Sequence, residues 1–204
     1  MELVKNRRWG VAAFIVLLLI IDQVVKIWVK THMTINESIR VFGDWFFIRF
    51  IENPGAAYGF EFGGDYGKLF LSILRIVAVI LLSVYIRRLL KKKAPLGVII
   101  GFALILVGAL GNIVDSMFYG LIFSESTFSS VARLFPPGGG YGTFLHGMVV
   151  DMLYFPIIES TYPSWFPVVG GEEFVFFSPI FNLADTYISV GFLYLLFFQR
   201  KYFK

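Results

Sequence analysis

Four long apolar stretches constrain this chain more than any other feature. A helix of about 18 or more apolar residues is long enough to cross the roughly 30 Å hydrocarbon core of a membrane. Stretches of that kind occupy residues 9–29, 69–86, 96–114 and 180–198. The whole chain is 57% apolar with a mean hydropathy of +0.75, which is far from the composition of a soluble domain. We therefore predict an all-α membrane protein, a single integral membrane domain over residues 1–204 with four transmembrane helices.

The basic residues predict how the helices are oriented. Lysine and arginine in short loops stay on the cytoplasmic side of a membrane. The residues that fit this rule flank the predicted spans, and they are Lys5, Arg7, Arg8, Arg87, Arg88, Lys91, Lys92, Lys93, Arg200, Lys201 and Lys204. Both termini are therefore expected in the cytoplasm. Because these cations flank spans and form no nucleic-acid-binding motif, the net charge of +4 does not indicate a nucleic-acid partner.

Two outer segments, about 31–67 and 116–178, contain most of the turn-forming residues. In the first, aromatic and β-branched runs lie on either side of Gly43 and Asp44, which predicts two short strands within residues 41–51. We expect a small β-sheet lying on the outer membrane face, with its aromatic side chains at the interface. The second contains the run Pro136-Pro137-Gly138-Gly139-Gly140 and is expected to be irregular in part.

A repeated polar signature marks the candidate functional residues. Asn112 and Asp115 end the third apolar stretch, while Asn182 and Asp185 lie near the start of the fourth. A spacing of three places amide and carboxylate on one helix face. A third carboxylate, Asp151, follows two valines. Ionisable groups at the edge of the hydrocarbon cost several kcal/mol unless they are paired or used, so these positions indicate a site.

Two further charged groups are expected at the same depth. Asp22 and Lys26 lie in the outer half of the first span, one helical turn apart, where an ion pair explains both. Arg75 in the second span can reach the same layer. Polar groups from several helices thus converge on one plane near the outer interface, which is the candidate active site.

The residue types present narrow the chemistry. The chain has no cysteine and only two histidines, His32 and His146, and it contains neither an H-E-x-x-H nor a G-x-S-x-G motif. A Ser-Lys pair using Lys26 or Lys68 stays open. Two neighbouring carboxylates share a proton, so one can act as base and the other as acid, as in aspartic proteases. The alternative is structural, because an aspartate at a helix end, such as Asp185, can serve as a cap.

Five sequence blocks together resemble one known family. D-Q-V-V-K at 22–26, E-N-P-G-A-A-Y-G at 52–59, G-A-L-G-N-I-V-D at 108–115, V-V-D at 149–151 and F-N-L-A-D at 181–185 are similar to the blocks of the lipoprotein signal peptidases, or signal peptidase II. They occur in the family's order and cover all four predicted spans. The resemblance implies four transmembrane helices with a small β-sheet cradle on the outer face.

The resemblance also implies an activity. The family members are aspartyl endopeptidases that remove the signal peptide of a prolipoprotein on the N-terminal side of its lipid-modified cysteine, at the outer face of the bacterial cytoplasmic (inner) membrane. The residues carried over as the catalytic pair are Asp151 and Asp185. Those carried over as substrate-binding or supporting residues are Asp22, Lys26, Asn53, Gly55, Ala56, Asn112, Asp115 and Asn182. The expected partners are a diacylglyceryl-modified prolipoprotein, membrane lipid and globomycin-type inhibitors, with no metal or cofactor.

Two departures from the family pattern stand out. Ser116 occupies the position after Asp115 where the family usually has arginine, and Arg75 and Arg133 are candidates to replace that group. The stretches on either side of Asp151 are also longer than is usual in the family. A small proton- or ion-coupled transporter that uses the same carboxylates is the alternative function, and a noncatalytic membrane subunit is a third.

Overall fold

The computed structural model describes residues 2–54 and 64–204. Gly55 and Ala56, expected to bind substrate, lie outside these residues. Within the described part, three helices are long and apolar enough to cross a membrane, and a shorter apolar helix follows them. The helices are α1 (Glu2–His32), α2 (Gly64–Lys91), α3 (Leu96–Val114), a π-helical turn (Asp115–Tyr119) that leads into α4 (Gly120–Ile122), α5 (Leu183–Phe198) and a final 3-10 turn (Arg200–Phe203).

A small antiparallel sheet lies at the end of the bundle where α1 and α3 finish. Its four strands run in the order β1 (Ser38–Phe42), β2 (Phe46–Asn53), β3 (Val149–Tyr154) and β6 (Ile180–Phe181). Two further strands, β4 (Ile158–Thr161) and β5 (Glu173–Phe176), form a separate hairpin between β3 and β6. The predicted strands around Gly43 are confirmed as the β1–β2 hairpin.

Small residues allow α3 and α5 to pack closely. A Cβ atom added to Gly108 would overlap the backbone carbonyl oxygen of Ala184, and one added to Gly111 would meet Asp22 Oδ2 at 2.5 Å. Because neither position has room for a side chain, the glycines of α3 let the start of α5 and the carboxylate of α1 approach the same turn.

Two apolar clusters hold the bundle and the sheet. One lies towards the chain termini and joins α1, α2, α3 and α5 through residues such as Val11, Ile86 and Leu195. The other joins the end of α1 to the sheet through Val29, Phe50 and residues of the π-helical region and β3. The polar site lies between these two clusters.

Two predicted boundaries need correction. The fourth span was expected to start at residue 180, but Ile180 and Phe181 pair with β3 as a strand, and Asn182 then caps α5. The third span was expected to end at residue 114, but the helical path continues to Ile122 because Phe118, Tyr119 and Leu121 keep it apolar. The second outer segment therefore begins after residue 122.

Candidate active site

Asp151 and Asp185 are brought together by two asparagine side chains. Asn182 Nδ2 donates to Asp151 Oδ1 at 2.7 Å and to Asn112 Oδ1 at 3.0 Å. Asn112 Nδ2 in turn donates to Asp185 Oδ1 at 2.8 Å. The amides thus bridge a carboxylate on β3 to a carboxylate on α5, and each amide is itself held by a second partner.

The start of α5 explains how Asp185 is positioned. Asn182 is the N-cap of α5, and its side-chain oxygen accepts from Asp185 N at 2.9 Å. Asp185 Oδ2 accepts from Asn182 N at 3.2 Å, which completes a capping box. The structural and the chemical interpretations of Asp185 are therefore compatible, because one carboxylate oxygen caps the helix while the other faces Asn112.

Asp151 is the more deeply buried of the two carboxylates, with 3% of its surface exposed. Burial, and then the negative charge of Asp185, raise the pKa of Asp151 to about 7. Hydrogen bonds from Asn53 Nδ2 at 3.2 Å and from Asn182 favour the charged form and oppose this shift. Near neutral pH the pair can therefore hold one proton.

Lys26 is the centre of a buried polar cluster beside the two carboxylates. Its Nζ lies 3.1 Å from Asp22 Oδ2 and 2.9 Å from Asp115 Oδ2, and it donates to Asn112 Oδ1 at 2.9 Å. The ion pair expected from the spacing of Asp22 and Lys26 is present. Because Lys26 contacts carboxylates and an amide rather than a serine hydroxyl, the Ser-Lys alternative has no geometric basis at this lysine.

Asp115 ties the strand that carries Asp151 to the helices. Its Oδ2 accepts from Val150 N at 3.3 Å, and its Oδ1 accepts from Gln23 Nε2 at 2.9 Å. Asp115 also begins the π-helical turn, an irregularity that often occurs at functional sites. The residue directly before Asp151 is thereby fixed to α1 and α3 at once.

A guanidinium group from α2 faces the same layer. Arg75 Nη1 donates to Ser116 Oγ at 3.3 Å, and its charge interacts with Asp185, Asp115 and Asp151. Ser116 Oγ donates to Asn112 O at 3.1 Å. Two arginines were considered as replacements for the family's arginine after Asp115. Arg75 contacts Ser116, which occupies that position, whereas Arg133 is exposed on the loop and its backbone N–H donates to Ser124 Oγ.

Five supporting residues were not identified from the sequence, namely Gln23, Tyr119, Lys30, Glu52 and Ser126. Gln23 Oε1 accepts from Tyr119 Oη at 3.1 Å, which connects α1 to the π-helical turn. Lys30 forms a buried ion pair with Glu52 next to the sheet and donates to Ser126 Oγ at 3.0 Å. Lys30 follows Lys26 by one helical turn, so the regular spacing of residues 22, 26 and 30 could have indicated that Lys30 lies on the same helix face.

Comparison with known proteins relates the chain to one protein family. A family model described as signal peptidase (SPase) II matches residues 14–200. A lipoprotein signal peptidase of Porphyromonas gingivalis is 54% identical over 187 residues, covering 91% of this chain and 80% of the relative. One from Amoebophilus asiaticus is 36% identical over 186 residues, covering 90% and 74%.

Solved structures resemble the fold. A bacterial membrane enzyme determined by the in meso method at 1.9 Å resolution aligns with a TM-score of 0.60 and 26% identity, covering 92% of this chain and 90% of that one. A second, at 2.3 Å resolution, aligns with a TM-score of 0.59 and 22% identity, covering 94% and 88%. The second likeness bears on the fold alone.

Proposed function

The chain belongs to the signal peptidase II family, and we propose that Asp151 and Asp185 are its catalytic pair. As a member of this aspartic protease family it is a multi-pass enzyme of the bacterial inner membrane that removes signal peptides from prolipoproteins. The transporter considered from the sequence finds no support in these similarities. The observation that carries the proposal is the amide bridge that joins the two carboxylates.

The proposed reaction starts from a pair that holds one proton, located on Asp151. Asp185 takes a proton from water, and the water oxygen forms a bond to the scissile carbonyl carbon. The carbonyl oxygen takes the proton of Asp151, which gives a tetrahedral intermediate. When the carbon–nitrogen bond breaks, the leaving amine takes the proton from Asp185, and the new acid's hydroxyl returns a proton to Asp151. Atoms and charges balance, and the pair regains its starting state.

The neighbouring polar groups serve to position this pair. Asn112 and Asn182 orient the two carboxyl groups, and Asn53 Nδ2 donates to Asp151 Oδ2. Lys26 holds Asp22 and Asp115, and through Asp115 it fixes β3. We assign Gly55 and Ala56 to close contact with substrate because their small side chains allow it.

Substrate and orientation complete the proposal. The site lies at the end of the bundle opposite the basic residues that flank the helices, such as Arg8, Arg87 and Arg200, so we place the site at the outer membrane face and both termini in the cytoplasm. We propose that the diacylglyceryl-modified cysteine of the precursor reaches the site from the lipid phase, and that globomycin-type inhibitors compete with it.

The test is cleavage of a lipid-modified precursor peptide by the purified full-length protein. We expect the native chain to release the signal peptide, globomycin to inhibit it, and both Asp151→Asn and Asp185→Asn to reduce kcat by several orders of magnitude. Glu159→Gln, which changes an exposed carboxylate of the β4–β5 hairpin, is the control and should cleave normally. Full activity in either aspartate variant would show that Asp151 and Asp185 do not act as the catalytic pair.

A further inference from the structure

The β4–β5 hairpin, which joins β3 to β6, has one apolar and one polar face. Directly paired residues of antiparallel strands lie on the same face, and successive pairs alternate between faces. The pairs on one face are Ile158 with Phe176 and Ser160 with Phe174. Those on the other are Glu159 with Val175 and Thr161 with Glu173. The hairpin is therefore amphipathic across its thickness.

Several of its apolar side chains are exposed, although Phe174 and Val175 are half-buried. Val168 is 98% exposed and Trp165 is 77% exposed in the turn region, and Ile158 and Phe176 are also exposed. Residues 155–179 contain no lysine, arginine or histidine. The acidic residues of the hairpin that lie in and beside its strands are Glu159, Glu172 and Glu173.

A hairpin of this kind is not stable in water unless its apolar face packs against another apolar surface. An isolated two-stranded hairpin is marginally stable at best, and stability requires a third strand or an apolar surface against one face. Among the described residues, β4 and β5 pair only with each other. Something apolar must therefore cover the face that carries Ile158 and Phe176.

The attachment of the hairpin indicates what that surface is. Its two ends continue into β3 and β6, and β6 leads directly into α5. Phe155, at the base, stacks on Phe46 with ring centroids 4.6 Å apart and on Phe181 at 5.7 Å, and Phe177 meets Phe181 at 6.0 Å. A continuous row of aromatic rings thus runs from the β1–β2 hairpin to this one, at the level where α5 starts.

We infer that the β4–β5 hairpin lies flat in the membrane interface on the side of the site, with its apolar face against lipid and its carboxylates towards water. Tryptophan and tyrosine favour this layer, as aromatic belts show. With no cation in the hairpin, the attraction comes from apolar burial rather than from anionic headgroups. The hairpin anchors β3 and β6, the strands that carry Asp151 and lead into Asn182. This inference does not depend on the catalytic assignment.

Spin labelling tests the inference directly, because the chain has no cysteine and each introduced one is unique. Single variants Ile158→Cys, Glu159→Cys and Val168→Cys of the full-length protein are labelled with a nitroxide in phosphatidylcholine nanodiscs. Residues 158 and 159 are neighbours on opposite faces and form a matched pair. We expect oxygen, which concentrates in lipid, to relax labels 158 and 168 more strongly, and a water-soluble nickel chelate to relax label 159.

Preferential relaxation by nickel at all three positions, or the same pattern at 158 and 159, would overturn the inference. A second measurement tests the role of the apolar face. In the Val168→Cys background, Ile158→Ser with Phe176→Ser should shift the label from oxygen to nickel accessibility, while Glu159→Gln should leave it unchanged. A label that keeps its depth in the serine variant would show that this face does not anchor the hairpin. Neither readout requires cleavage, so failure here is distinct from failure of the catalytic proposal.

Discussion

At the scale of single residues, the part of the site that the structure describes contains more carboxylates than cations. Apart from the Lys30–Glu52 ion pair, which balances itself, the charged groups described there are Asp22, Asp115, Asp151, Asp185, Lys26 and Arg75. With every carboxylate ionised, the two cations leave two negative charges uncompensated in a poorly hydrated region. A proton on Asp151 removes one of them. The excess of carboxylates therefore has the same consequence as burial, which is to keep one proton on the pair near neutral pH.

The pH dependence of cleavage follows from the raised pKa of Asp151. Cleavage requires one proton on the pair, so the rate should be bell-shaped and should fall as pH rises through about 7. The hydrogen bond from Asn53 favours the charged form of Asp151, so Asn53→Ala should raise this pKa and move the alkaline limb to higher pH. Ser124→Ala removes only a side-chain hydrogen bond to the backbone of Arg133, within the loop after α4, and is the control. An alkaline limb that moves to lower pH in Asn53→Ala would contradict this assignment.

Arg75 should contribute to catalysis through its charge and its contact with Ser116. Losing a charged hydrogen bond costs about 1.5–3 kcal/mol, so Arg75→Gln should reduce kcat/KM roughly 10- to 100-fold. It should also raise the pH of the alkaline limb, because a nearby cation favours ionised carboxylates. Arg75→Lys keeps the positive charge, so its alkaline limb should lie close to that of the native protein while its kcat/KM stays reduced. Arg133→Gln should change neither quantity. Unchanged kinetics in Arg75→Gln would assign this arginine a structural role only.

Some residue-scale contacts were visible in the sequence and others were not. The Asp22–Lys26 pair follows from a spacing of four on one helix, and the capping box of Asn182 and Asp185 follows from a spacing of three at a helix start. The bond from Asn182 to Asp151 depends on how β3 pairs with β6, which no local pattern specifies. The contact of Arg75 with Ser116 depends likewise on how α2 packs against α3.

At the scale of elements, the packing of α3 against α5 sets the distance between the asparagines and the aspartates. Asn112 on α3 contacts both Asn182 and Asp185 at the start of α5. This contact requires close approach of the two helices one turn earlier, at Gly108. If Asp151 and Asp185 are the catalytic pair as proposed, helix packing contributes to the catalytic geometry as well as to stability.

Gly108→Ala tests this dependence. Its added Cβ would overlap the carbonyl oxygen of Ala184, a backbone atom that no rotamer change can move. We expect a loss of about 1–3 kcal/mol of stability and a lower kcat, measured by thermal unfolding and cleavage in detergent. Gly10→Ala is the matched control, because nothing lies within 4 Å of its Cβ position. Equal stability and activity in the two variants would show that α3 and α5 can accommodate a methyl group at position 108.

The elements themselves differ in how well the sequence predicts them. Long apolar runs predict α1, α2 and α3, and alternating residues around Gly43 predict β1 and β2. The β3 strand has a β-branched start, but its apolar residues do not alternate clearly, and β6 is only two residues long. The start of α5 was placed too early because Ile180 and Phe181 suit a buried strand and a membrane helix equally well.

At the scale of the whole molecule, the basic residues that flank the helices and the polar site lie at opposite ends of the bundle. Arg87 and Arg88 lie near the C-terminal end of α2 and Arg200 follows α5, while the sheet lies at the other end of the bundle. This division agrees with the proposed orientation, in which the enzyme acts on precursors after their export. The stretches on either side of Asp151 contribute, respectively, the loop that contacts Lys30 and the β4–β5 hairpin.

Single cysteines test that orientation. Lys92→Cys lies between α2 and α3, and Ser129→Cys lies on an exposed loop beyond α4. In intact spheroplasts, a membrane-impermeant maleimide should label position 129 and should reach position 92 only after lysis. Labelling of position 92 before lysis, with protection of position 129, would reverse the proposed topology.

The central claim is that Asp151 and Asp185 share one proton, and infrared spectroscopy of the full-length protein measures this directly. The carbonyl stretch of a protonated carboxyl group should be present below pH 7 and should disappear as the pH rises through about 7. It should be absent over that range in Asp151→Asn, which retains no titratable group at this position. The absence of this titrating band in the native protein, or its unchanged presence in Asp151→Asn, would contradict the account.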